Sequence, residues 1–78
     1  MFYTYVLKSS IDNKLYIGFT ENLTERIALH NDGFVKSTKN RKPLKLVYYE
    51  ECLDEDKALK REKYFKTGFG RIFLRDRI

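Results

Sequence analysis

A chain of 78 residues, with 16 Lys and Arg against 11 Asp and Glu and hence a formal charge of +5, reads as one small basic domain spanning residues 1–78. Its 35% charged and 42% apolar residues exclude both a disordered tail and a membrane span, and no apolar stretch approaches about 18 residues. The lone Cys52 cannot form an internal disulfide and points to a reducing, cytoplasmic setting, while the lone His30 excludes multi-histidine metal sites.

Phe2 to Leu7 alternates aromatic and β-branched residues and predicts a strand, with no basic leader or cleavage site to make it a signal peptide. Ser9 to Asn13 carries turn formers, and Leu15-Tyr16-Ile17-Gly18-Phe19 predicts a second strand, giving an antiparallel hairpin. Asn22 stands three residues before Glu25 as an Asn-led capping box, and Gly33 closes the segment. Leu23, Ile27 and His30 recur at helical spacing between them, so Asn22 to Asp32 is predicted helical. Phe34 to Lys42 lacks periodicity and reads as a basic loop; Leu44 to Glu51 predicts a third strand. Asp54 can cap a second helix running to about Thr67, where Gly68 ends it, and the last ten residues predict a short helix or tail. The expected class is α+β, in the order β-β-α-β-α, with a small three-stranded antiparallel sheet flanked by helices.

Several residues sit badly in that folding pattern. Ala58, Glu62, Phe65 and Phe69 form the apolar stripe of the second helix, and a carboxylate inside such a stripe needs a cation or donors. A bridge to a neighbouring Arg is the ordinary explanation for Glu62; a metal ligand or acid–base group is the functional one. Arg26 and His30, four apart, share a face bordering Leu23 and Ile27, where a core histidine and a snorkelling arginine are the ordinary reading and a phosphate site the other. Tyr3 and Tyr5 share a strand face that the hairpin brings beside Tyr16, and cross-strand packing accounts for Tyr3. Buried phenols at Tyr5 and Tyr16 need partners and can reach a water or phosphate. Gly18 in a strand interior implies a bulge or a close approach by backbone or ligand.

These residues, in this order, resemble the GIY-YIG nuclease family. The second triplet is intact as Tyr16-Ile17-Gly18, the first reads Tyr3-Thr4-Tyr5, and Arg26, His30 and Glu62 follow on helices. The resemblance covers roughly residues 2 to 66 and is closest to small stand-alone bacterial members. It implies a DNA-cutting phosphodiesterase, similar to the nuclease domain of the bacterial excision-repair endonuclease. By that resemblance Glu62 would hold a single Mg²⁺ or Mn²⁺, Tyr16 would orient or deprotonate the attacking water, and Arg26 would stabilise the scissile phosphate. Tyr5 and His30 would position water or phosphate. Family members often carry Lys after the second triplet and a late Asn; Phe19 stands at the first position here and no late Asn is evident.

The implied partner is DNA, branched or damaged DNA included, with no membrane contact and with targeting left to a protein partner. Lys36, Lys39, Arg41 and Lys42 in the loop and Arg71 in the tail are the expected phosphate contacts, interleaved with Phe34, Phe69 and Phe73. A non-catalytic nucleic-acid-binding module of the same fold is the alternative function. A protein-docking role for the acids Glu50, Glu51, Asp54, Glu55 and Asp56 is the weakest reading, since it gives Glu62 nothing to do.

Overall fold

The computed structural model describes all 78 residues, Met1–Ile78. Strand β1 (Phe2–Ser9) is the middle of a three-stranded antiparallel sheet ordered β2-β1-β3, with β2 at Leu15–Thr20 and β3 at Leu44–Cys52. The β1–β2 turn is closed by short polar side chains. Ser9 Oγ accepts from Ile11 N at 3.0 Å, Asp12 Oδ1 accepts from Lys14 N at 2.9 Å, and Asn13 takes the left-handed conformation that Asn tolerates. In the resulting register Tyr5 lies between Gly18 and Tyr49, and Val6 between Ile17 and Tyr48. The β1–β3 ladder then slips between Val6 and Leu7, so that Leu7 meets Leu46 and Val47 bulges.

Helix α1 (Leu23–Asn31) begins as its sequence dictates: Asn22 Oδ1 accepts from Glu25 N at 3.1 Å and Asn22 Nδ2 donates to Glu25 Oε2 at 3.2 Å. Its last residue anchors the third strand. Asn31 Nδ2 donates to Leu44 O at 2.9 Å and Asn31 Oδ1 accepts from Leu44 N at 2.7 Å, a two-way clasp on backbone that would otherwise need water. Asp54 caps α2 (Glu55–Phe65) through Lys57 N at 3.1 Å.

Helix α2 ends at Phe65, two residues before the expected Thr67, and of the two forms expected for the last residues the short helix is the one observed, α3 (Gly68–Arg75). The reason is Thr67, whose hydroxyl donates to Tyr64 O at 2.6 Å and accepts from Gly70 N at 3.1 Å, ending one helix and starting the next. Phe69 therefore belongs to α3, not to the α2 stripe, and it is exposed.

Because successive residues of β1 point to opposite faces, two apolar clusters form. Val6 and Ile17 pack with Phe65 of α2 and Leu74 of α3 on one face; Tyr5, Leu7 and Leu44 pack with Leu23 and Ile27 of α1 on the other. Thr4, which stands in the altered first triplet, is buried and donates to Ala58 O at 2.7 Å, tying β1 to α2. Arg61 grips Glu50 with two hydrogen bonds of 2.9 and 2.8 Å and lies 4.7 Å from the Phe65 ring centroid, joining α2 to β3. The Arg61 bonds hold the Glu50 carboxyl below its ordinary value, so this acid is already partnered inside the chain.

Candidate active site

The site grows from the β1–β2 pairing. Tyr5 and Gly18 are directly opposed, and the Tyr5 ring occupies the space a side chain at position 18 would need: a Cβ there would lie 2.3 Å from Tyr5 Oη. The close approach expected at Gly18 is thus made by a neighbouring side chain, neither backbone nor ligand.

That freedom lets Tyr5 reach α1. Its hydroxyl is 2.8 Å from His30 Nε2 and accepts from Arg26 Nε at 3.4 Å. Tyr16 stacks edge-on against His30 with ring centroids 4.9 Å apart, and lies 6.4 Å from the Tyr5 ring. His30 is fully buried, and its Nδ1 is 2.7 Å from Thr38 Oγ1, which also donates to Val35 O at 3.5 Å. Helical spacing of four thus places Arg26 and His30 on one phenol, with Tyr16 completing the group.

The electrostatics follow from burial and from the guanidinium. Burial raises the Tyr5 phenol above its ordinary value; the Arg26 hydrogen bond opposes this, and repulsion from Tyr16 and Glu62 adds to it. Arg26 is held charged chiefly by its bond to Tyr5, with Tyr16 contributing. Burial, reinforced by the Arg26 charge, lowers the His30 imidazole from 6.5 to about 4. Its depressed value means that the unfolded chain binds the proton more tightly. The stability this contributes is complete above pH 6.5 and is lost as pH falls towards about 4. Thermal melts at stepped pH are expected to show that loss in the wild type and a shallower one in His30→Gln; parallel curves would contradict the assignment.

Glu62 comes from α2, whose body lies on the other side of the sheet from α1. Its carboxylate is near enough to repel a Tyr5 phenolate, and the side chain is 21% exposed. Its cation is Lys66 at 3.5 Å, one turn along the same helix, and not an arginine. No three His, Cys, Asp or Glu side chains converge as a metal cluster. A single carboxylate nevertheless suits Mg²⁺, which keeps several waters and takes the rest of its ligands from substrate oxygens.

The expected phosphate contacts separate into groups. Lys36, Lys39 and Lys42 are exposed on the 34–43 loop and make no ion pair. Arg41 is engaged: its Nε donates to Asp12 at 2.9 Å and its NH2 group to Lys14 O at 3.2 Å, while its carbonyl accepts from Ser9 Oγ at 2.6 Å. Arg71 is exposed on α3, beyond the opposite face of the sheet. Thr38 is the residue the sequence reading missed; a hydroxyl in an aperiodic basic stretch carries no signal of burial. An open cleft of about 290 Å³ beside Arg26 is lined by Thr20, Glu21, Asn22, Glu25, Arg26 and Leu29, and its two carboxylates make it a poor seat for phosphate.

A tyrosine-bearing hairpin on an antiparallel α+β sheet, followed by a helix that aims arginine and histidine at the first tyrosine, is the construction of a GIY-YIG catalytic domain. The chain belongs to that family: the family model for the GIY-YIG catalytic domain matches residues 1–74. Family members are nucleases, so the fold class carries phosphodiester cleavage with DNA as the substrate it implies. Among similar proteins, a UPF0213 protein of Staphylococcus haemolyticus is 46% identical over 66 residues, covering 83% of this chain and 79% of its own length. A UPF0213 protein of Clostridium perfringens is 46% identical over 67 residues, covering 85% of this chain and 71% of its own length. No solved structure matches the chain. No helix is long and apolar enough to cross a membrane.

Proposed function

We propose that this chain is a divalent-metal-dependent DNA endonuclease in which Tyr5, Tyr16, Arg26, His30 and Glu62 form the working set. The observation that carries the reading is the Arg26 side chain. Its Nε donates to Tyr5 at 3.4 Å and its charge is further held by Tyr16, so two phenols aim the guanidinium. A planar, permanently charged fork aimed by a buried phenol suits a phosphate.

In this reading Arg26 binds the scissile phosphate and stabilises the charge that grows on its oxygens. Tyr5, whose burial favours the neutral phenol, orients Arg26 and is not the base. Tyr16 is half-buried and interacts with the Arg26 guanidinium, which sets its hydroxyl beside the scissile phosphate to orient the attacking water. Glu62 would hold Mg²⁺ or Mn²⁺, which supplies Lewis-acid stabilisation of the same charge. The Lys66 pair is exposed and weak enough to yield to such an ion. Substrate is assigned to the tyrosine side of Arg26, away from the acidic cleft.

Lys36, Lys39 and Lys42 offer phosphate contacts without base readout, so choice among branched or damaged sites falls to a targeting partner in a cytoplasmic DNA-repair setting. The test is a cleavage panel of single-stranded, duplex, flapped and branched DNA with Mg²⁺ or Mn²⁺. The wild type is expected to cut and Glu62→Ala to fall to background. Equal rates in the two proteins would remove Glu62 from the reaction, and tight binding without cutting in every condition would select the binding-module alternative.

A further inference from the structure

The four polar groups that meet around His30 have directions that can be worked out from their ends. Arg26 Nε can only donate, so the Tyr5 oxygen accepts from it at 3.4 Å. The Val35 carbonyl can only accept, and it lies 3.5 Å from Thr38 Oγ1, giving that hydroxyl proton a destination. Between these fixed ends one assignment uses every proton once. Tyr5 O–H donates to His30 Nε2 across 2.8 Å, and His30 Nδ1–H donates to Thr38 Oγ1 across 2.7 Å. Reversing the two bonds would leave the Tyr5 proton with no acceptor in the cluster, beside a cation.

We propose that Thr38 is a positioning residue that locks His30 in the Nδ1–H tautomer, so that Nε2 draws the Tyr5 proton away from Arg26 and the Tyr5 lone pair holds the Arg26 fork. It deepens the nuclease reading and rests on it for its kinetic consequence alone. Thr38 is 0% exposed, as is His30, so neither water nor any other visible group substitutes for the hydroxyl. The surrounding loop is pinned where it must be: Arg41 bonds to Ser9 at the end of β1 and to Asp12 within the β1–β2 turn, which fixes the 34–43 segment against β1. Loss of the hydroxyl removes the preference for Nδ1–H. The imidazole then turns its proton onto Nε2 and donates to Tyr5, and the displaced Tyr5 proton meets Arg26. The guanidinium loses its seat, although the binding lysines are untouched.

His30 is the only histidine in the chain, so nitrogen NMR of labelled protein at pH 7 reads its tautomer without ambiguity. Wild type and Thr38→Ser are expected to show Nδ1–H. Thr38→Val is expected to move towards Nε2–H, with kcat lowered about tenfold, the worth of one neutral hydrogen bond, and KM unchanged. Thr38→Ala, which deletes the hydroxyl without adding volume, serves if the valine variant does not fold. A wild-type spectrum showing Nε2–H overturns the proposal outright, and so does a hydroxyl-free variant that keeps the wild-type tautomer. A shifted tautomer with unchanged kcat overturns its catalytic consequence. Should the wild type cut no DNA at all, the nuclease reading fails, and the spectra alone still decide whether Thr38 sets the tautomer.

Discussion

Replacing Arg26 with alanine is expected to lower kcat by about 10³, the usual cost of deleting a preorganised donor to developing charge, while KM changes little. The native bond that is lost, Nε to Tyr5 at 3.4 Å, is long and half-exposed, so the melting temperature should stay within about 5 °C. Arg26→Lys should recover only a small part of the rate. An ammonium cannot bond Tyr5 and present two parallel donors to phosphate at once. Single-turnover cleavage of a defined DNA strand gives the measurement. A deficit below about tenfold would mean that the guanidinium does not act on the phosphate, since even one ordinary hydrogen bond is worth that much.

Gly70→Ala is expected to cost about 3 kcal/mol of stability, at the severe end for one added methyl group. A Cβ at position 70 would lie 2.0 Å from Tyr64 O and 2.6 Å from Phe65 Cα. Both are backbone atoms of the last turn of α2 and cannot swing aside as a flexible side chain would. Helix α3 would have to lift away, taking with it the fully buried Leu74 and the Phe73 ring stacked 5.7 Å from Phe65. For a domain of this size the melting temperature should drop by more than about 10 °C, readable by calorimetry. A drop under about 2 °C would mean that α3 does not pack tightly on α2.

The strands and first two helices were legible because local chemistry and packing agree there. Tyr5, Val6 and Leu7 alternate between two faces that are both covered, and Asn22 and Asp54 cap the helices they precede. The sequence leaves the third helix open between a short helix and a tail because Gly68 reads as a helix end, and nothing in it signals that Gly70 permits close contact with α2. Phe69 continued the α2 spacing in sequence, but the Thr67 cap rotates it out to solvent. At the site, Tyr5, Tyr16, Arg26 and His30 were legible from order and spacing, and they meet. Arg41 was read as a free cation because its partner, Asp12, lies 29 residues earlier across a turn that only the folded sheet brings close. Thr38 was hidden for the same reason: its partner is a buried imidazole eight residues back, outside any helical or strand period.

The position of β1 has a consequence for how the chain is made. It is synthesised before both of its partners, yet it lies between them in the sheet, and they arrive at very different times. The hairpin partner begins at Leu15, opposite Lys8, whereas the other ladder runs from Ser9 with Leu44 to Phe2 with Cys52. One edge of a strand rich in Tyr, Val and Leu therefore stays open while the intervening residues are polymerised, about 2–9 s at ordinary ribosomal rates. During that interval it is a template for wrong pairing. The Asn31 clasp on Leu44 lies where that exposure ends, holding the incoming strand by its first residue so that the rest can pair in register.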